Sequence, residues 1–262
     1  MTNPTPATNT FNAAAPDSRA EAARLGQELL EELGKAHAPQ ANTGKLQDLL
    51  SHGASVHETN TSGQTALMVA IHYNHTDLAQ KILDAGASVH AKDNQDNTPL
   101  IWCGYTGNTE IALRLLRTGA SLDASNSIGR SVLTQAANKG YDEFLGAVIG
   151  WGCDADHIDR RGETPLTTAA AAGRKSTCLA LIAAGANPIK RARSGKTPAE
   201  TARDARYTTI ADAIEKSIVD NRERLLLDDI RQITEGVRED ITVSSTPIKT
   251  VRKRTVPGIY PP

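Results

Sequence analysis

Four sets of residues in this 262-residue chain have types and spacings that could do chemistry. His57, His90, Asp123 and Asp156 follow one another at steps of 33 residues, a ladder of imidazoles and carboxylates of the kind that ligates metal ions. Ser194–Thr197 reads SGKT, the closing half of a loop that cradles phosphate through glycine backbone and lysine. Cys103, Cys153 and Cys178 are three thiols, each a potential nucleophile or ligand. His72 and His75 stand at i, i+3, one helical turn apart.

The elements that would have to position these groups explain most of them without chemistry. The string GASV occurs at Gly53–Val56 and again at Gly86–Val89; GASL follows at Gly119–Leu122, GCDA at Gly152–Ala155 and GANP at Gly185–Pro188, always 33 residues on. A second marker keeps the same step: GQTAL at 63–67, DNTPL at 96–100, GRSVL at 129–133, GETPL at 162–166 and GKTPA at 195–199. A small residue then recurs three places later, at Ala70, Cys103, Ala136, Ala169 and Ala202. Such a period means repeated units stacked in line.

Within one unit the local signals are explicit. Thr98 can cap a helix and Pro99 then occupies its first position, where a missing N–H costs nothing. Leu100, Cys103 and Gly104 follow at helical spacing, and Gly107 ends the helix. Ile111, Leu115 and Leu116 make the apolar stripe of a second helix that stops at Gly119, and a turn through Asp123 and Asn126 leads to the next unit. No single unit can bury both helices, and stacking supplies the missing partner.

These markers resemble the ankyrin repeat family, whose G-x-T-P-L-H-x-A-A pattern, followed by G, L-L and G-A, is met from Gly53 to about Ser217. The histidine of that pattern is absent: Met68, Ile101, Thr134, Thr167 and Glu200 occupy its slot, which is expected to weaken a local hydrogen-bond network and leave the fold intact. The resemblance implies an all-α ankyrin-repeat solenoid. The expected organisation is a disordered leader over 1–17, N-terminal capping helices within 18–59, and four full repeats over 60–191. A degenerate fifth repeat follows over 192–218, then a C-terminal capping helix over 219–235 and a basic extended tail over 236–262. The first capping helix should run from Ala20 to Gly34, and Leu46, Leu49 and Leu50 should belong to its partner.

The register disposes of the reactive sets. Equal positions of stacked units lie about 10 Å apart and their side chains point in parallel, whereas metal donors must converge at about 2 Å. The His/Asp ladder is therefore expected to bond neighbouring loops. The phosphate motif needs glycine at position 190, where Lys190 stands, and Gly195 and Thr197 are already used by the repeat. The three cysteines fall in slots filled elsewhere by alanine or another apolar residue, so they are read as small buried hydrophobes. His72 and His75, without a third ligand, read as surface histidines. No Ser-His-Asp order, HExxH motif or carboxylate pair survives, and neither a cofactor nor enzymatic activity is expected.

Composition agrees. Aromatic residues make up 3% of the chain, against a β-sandwich core and for helices packed through Ala, Leu and Ile. A net charge of −1 excludes a polyanion binder acting through bulk charge. No apolar run approaches the ~20 residues of a membrane span. An odd number of cysteines at wide spacing makes no disulfide framework, which favours a reducing, cytoplasmic setting; a nuclear location, or secretion as a bacterial effector without a Sec signal, are the alternatives.

By the same resemblance, partners touch the concave face built from the turn tips and the exposed ends of each unit's first helix. Those positions here include Tyr73, Asn94, Tyr105, Arg130, Lys139, Arg160, Arg161, Arg191, Arg193 and Lys196. Aromatic and neutral groups lie at one end and arginines at the other, both types being common at binding hot spots. The expectation is a monomeric, noncatalytic module binding a protein with an acidic segment. The alternative is a nucleic acid or other anionic surface held by the arginine-rich end and the basic tail, which the lack of interleaved aromatics disfavours.

Overall fold

A computed structural model describes residues 16–35 and 43–220. The expected leader up to residue 15 and nearly all of the expected C-terminal cap and basic tail lie outside the described residues. The chain divides at Ser217/Ile218 into two units, and the repeat stack lies in the first.

The described residues form helices and no strand. In chain order they are α1 (Pro16–Lys35), α2 (Thr43–Ser51), α3 (Ala66–His72), α4 (Thr76–Asp84), α5 (Pro99–Thr106), α6 (Thr109–Arg117), α7 (Val132–Lys139), α8 (Asp142–Ile149), α9 (Pro165–Ala171), α10 (Lys175–Ala183) and α11 (Pro198–Asp204). A last helix, α12, opens at 208 and continues through 220, the last described residue. None of the described helices is long and apolar enough to cross a membrane.

Each short inner helix starts at a hydroxyl. Thr65, Thr98, Ser131, Thr164 and Thr197 sit in extended backbone, and each side chain accepts a hydrogen bond from the N–H three residues on. That satisfies a donor the helix leaves orphaned. The slot where the family pattern has histidine is this third residue. Two of its replacements restore the missing bonding: Thr167 and Glu200 each reach back to the cap residue's own N–H, closing a capping box. At Thr134 the hydroxyl lies 3.2 Å from that of Ser131.

The inner helices α3, α5, α7, α9 and α11 pack on one another in sequence, and α4, α6, α8 and α10 form the outer row. Both rows close over a continuous apolar seam in which Leu67, Leu100, Leu133 and Leu166 are at most 1% exposed. Four leucines of one register position thus fill the gap each neighbour leaves, as a linear stack requires. α1 packs on α2 and α3 and plays the part of the first inner helix, with Leu29, Leu30 and Leu33 buried. It starts four residues before the expected Ala20, because Pro16 is preset for the first helical position. At the far end Ala202 of α11 is buried with Ile210, Ala211 and Ile214 of α12.

Candidate partner-binding face

The turn tips that precede the inner helices are built on an Asx ladder that the sequence reading passed over. Asn60, Asp93, Asn126 and Asp159 recur at the 33-residue step. Each uses its Oδ1 to accept from the backbone N–H groups two and four residues ahead, at 2.8–3.2 Å. This is the local bonding that lets Asn and Asp shape turns. The ladder could have been found by the same period search that found the glycines; it ends at Ala192. Adjacent tips are tied by backbone bonds: Asn94 N–H to the Ser62 carbonyl, Ser127 N–H to Gln95, and Arg160 N–H to Ile128, at 2.8–3.0 Å.

Contact between tips is close enough to demand glycine. Gly129 and Gly162 have φ of 79° and 76°, and a methyl on either would lie 2.6–2.7 Å from the backbone or Cβ of the next tip, at Arg160 and Arg193 respectively. The two arginine stems therefore rest on bare glycine faces, and their guanidinium groups leave the tip row from fixed roots.

The structure sorts the expected cations into two groups. Arg130 is mostly buried and its Nε donates to Asp159 Oδ2 at 3.5 Å, a carboxylate with no solvent exposure. Arg191 donates to the Gly195 carbonyl at 2.5 Å and to Glu200 at 3.2 Å. Lys196 pairs with Asp204, which raises its pKa. Lys190 donates to the Asp156 carbonyl at 2.8 Å. By contrast Lys139, Arg160, Arg161 and Arg193 are exposed, and among the described residues no side-chain hydrogen bond or ion pair engages them. Asn94, though exposed, spends its side-chain amide on the Thr61 carbonyl at 3.0 Å.

At the other end of the face an aromatic cluster is assembled from two repeats. His72 stacks edge-on with Trp102 at 4.9 Å and with Tyr73 at 4.8 Å, and Trp102 lies 5.3 Å from Tyr105. Two of the polar handles are tied down: the Trp102 indole N–H donates to Asp93 Oδ2 at 3.0 Å, and Gln135 donates to the Tyr105 hydroxyl at 2.9 Å. Burial pushes the Tyr105 phenol pKa up, opposed by the nearby Arg130 charge. Trp102 is thus part of the same cluster. Trp151 is 44% exposed but follows the outer helix α8, away from the tips in the chain.

The reactive-looking sets fall apart in space. His57, His90 and Asp123 are exposed, while Asp156 accepts from the Asn187 N–H at 2.9 Å and so bonds the next loop as expected. Among the described residues no three His, Cys, Asp or Glu side chains gather as a metal-holding group. In SGKT, Gly195 turns the tip and Thr197 caps α11. His75 departs from the surface reading. It is half-buried at the start of α4, with Nε2 lacking a partner among the described residues.

Cys103 and Cys178 are buried as expected, at 0% and 1% exposure. Cys153 is not: it is half-exposed, although its counterparts Ala87 and Ala120 are buried. A thiol is larger than a methyl, and at this loop slot the extra volume has an open side to occupy. Burial, with Asp154 and Asp123 beside it, still pushes the Cys153 thiol up to about 11, so it is a poor thiolate at neutral pH.

Residues 36–126 match the family model for ankyrin repeats in three copies. No curated protein matches the chain. The described structure carries the same helix pair and the same tip beyond residue 126, through α7–α8, α9–α10 and α11.

Proposed function

From the premise that this chain carries ankyrin repeats stacked as a helical solenoid, we propose that it is a noncatalytic binding protein whose ligand is another protein, held along the tips and inner-helix ends. Ankyrin repeats are generally protein–protein interaction modules. The observation that carries the finer reading is the sorting of charges: four cations of the face, Lys139, Arg160, Arg161 and Arg193, have no intramolecular employment among the described residues, whereas their neighbours do.

A rigid, preformed surface loses little freedom on binding, which leaves more of each contact for affinity. The aromatic cluster of His72, Tyr73, Trp102 and Tyr105 offers apolar area at one end, and the arginines offer charge complementarity to an acidic segment at the other. Three free thiols suit a reducing compartment, and we place the working protein in the cytoplasm as a monomer.

The test is capture of the partner from the native host by proximity labelling, repeated with Arg160, Arg161 and Arg193 all changed to Glu. The triple variant should lose the partner while its melting temperature stays within a few degrees, since exposed, unpaired side chains contribute within about 0.5 kcal/mol each. Retention of the partner would remove the basic end from the site. A strong, steeply salt-dependent affinity for duplex DNA would instead favour the anionic-polymer reading.

A further inference from the structure

Arg160 and Arg193 occupy the same position of consecutive tips, 33 residues apart, and their stems are seated on Gly129 and Gly162. The stack repeats at about 10 Å, the spacing of packed helices. A chain in the polyproline II conformation advances about 3.1 Å per residue with three residues per turn, so its residues i and i+3 face the same way about 9.3 Å apart. The two periods nearly coincide. A β-strand does not offer this match, because i and i+3 point to opposite faces.

We propose that the tip row takes a short polyproline-II-like segment carrying carboxylates three residues apart, one for Arg160 and one for Arg193. This rests on the protein-binding reading and gives the partner a chemistry. Each arginine forks onto one carboxylate, with two parallel N–H donors per oxygen pair. The neighbouring charges permit it: Asp159 is turned inward to Arg130 and to its own tip's N–H groups, and Lys196 and Arg191 are answered by Asp204 and Glu200. Only Glu163 stands against the incoming acids on that stretch, outweighed by Arg160, Arg161 and Arg193. The same position in the two earlier tips is Ser127 and Asn94, so the acidic pair belongs at one end of the ligand and uncharged residues at the other.

A helical ligand with acids at i and i+7 would span a similar distance, but crossing three pitches would take about 20 helical residues against about ten in polyproline II. A segment of only about ten residues is too short to hold itself helical in water, so a short ligand favours polyproline II.

The measurement is fluorescence anisotropy on the full chain with ten-residue Pro/Ala/Ser peptides bearing two glutamates, either at i and i+3 or adjacent. The i, i+3 peptide should bind about fivefold tighter, the worth of one further ion pair. R160Q or R193Q should each erase the difference, while R161Q keeps it. An R193E chain should recover binding to one of the two peptides in which either glutamate is replaced by lysine, and which of the two it is gives the direction of the ligand. Equal affinity of the two peptides, with partner capture still lost on charge reversal, would overturn the spacing and leave the binding reading standing. Binding of neither peptide, or tighter binding of an i, i+7 helical peptide or a DNA duplex, would also overturn it. Failure of the intact chain to capture any protein would instead bring down the reading beneath it.

Discussion

Arg130 and Asp159 meet across a repeat boundary: the guanidinium of one tip reaches the outer carboxylate oxygen of the next at 3.5 Å, while the inner oxygen accepts from the N–H groups of Arg161 and Glu163, both at 2.9 Å. The carboxylate is sealed from solvent, and the arginine side chain is 18% exposed. One member of the basic face is therefore a seam between units, and it should behave differently from Arg160 and Arg193.

Removing the guanidinium leaves a buried carboxylate without its charge partner. Arg130→Met should lower stability by about 1–3 kcal/mol in urea unfolding, through the desolvation of an abandoned group. Asp159→Asn should cost less, because asparagine already holds the equivalent tips at 60 and 126. The double variant should then recover part of the loss, with a coupling of about 0.5–3 kcal/mol. Strict additivity would show that the two residues do not work as a pair.

The apolar seam gives a second expectation. Leu100 is 1% exposed in the middle of the inner row. Leu100→Ala should cost about 2–5 kcal/mol by leaving a cavity between helices that cannot close on it. The denaturation midpoint reads this directly, and a loss below about 1 kcal/mol would mean the seam collapses freely.

Thiol accessibility separates the three cysteines. In the native protein a water-soluble maleimide should modify Cys153 alone and slowly, because its thiol is raised to about 11. Cys178, raised to about 12, and Cys103, raised further by burial, should react only in denaturant. Mass spectrometry should therefore count one adduct per native chain and three per unfolded chain. Prompt labelling of Cys103 would contradict the packing of α5.

The capping box at α11 carries a pH signature. Glu200 accepts from the Thr197 N–H at 2.7 Å, and this bond, with Arg191 nearby, holds its carboxyl below the ordinary value of 4.5. A carboxyl depressed in the folded state adds stability that is fully present above the unfolded pKa. That stability is lost as pH falls through the folded one. Melting temperature should thus fall between about pH 5 and pH 3, and Glu200→Gln should flatten that part of the curve. An unchanged acid limb in the variant would show that the reach-back bond contributes nothing.

The departures from the sequence reading share one cause. The caps at Thr98, Thr164 and Thr197 and the closing glycine Gly107 involve bonds of three or four residues' separation, which spacing alone reveals. Cys153 follows the same register as Ala87 and Ala120, yet register records neither the size of a side chain nor the open side of its slot. The partial burial of His75 has a similar origin, since it depends on what packs beside the start of α4.

From the amino-acid order alone came the repeat length, the pair of helices in each unit, their capping residues and the buried stripe, because all of these depend on local hydrogen bonding and on periodic burial. Only the folded stack decided which cations are paired and which stay exposed. Arg130 is bound to a residue 29 positions away, and Arg160 and Arg193 are seated on glycines 31 positions back. Such partners become neighbours only when one unit lies on the next, so the spacing of like residues along the chain could not distinguish an arginine paired across a seam from one left exposed.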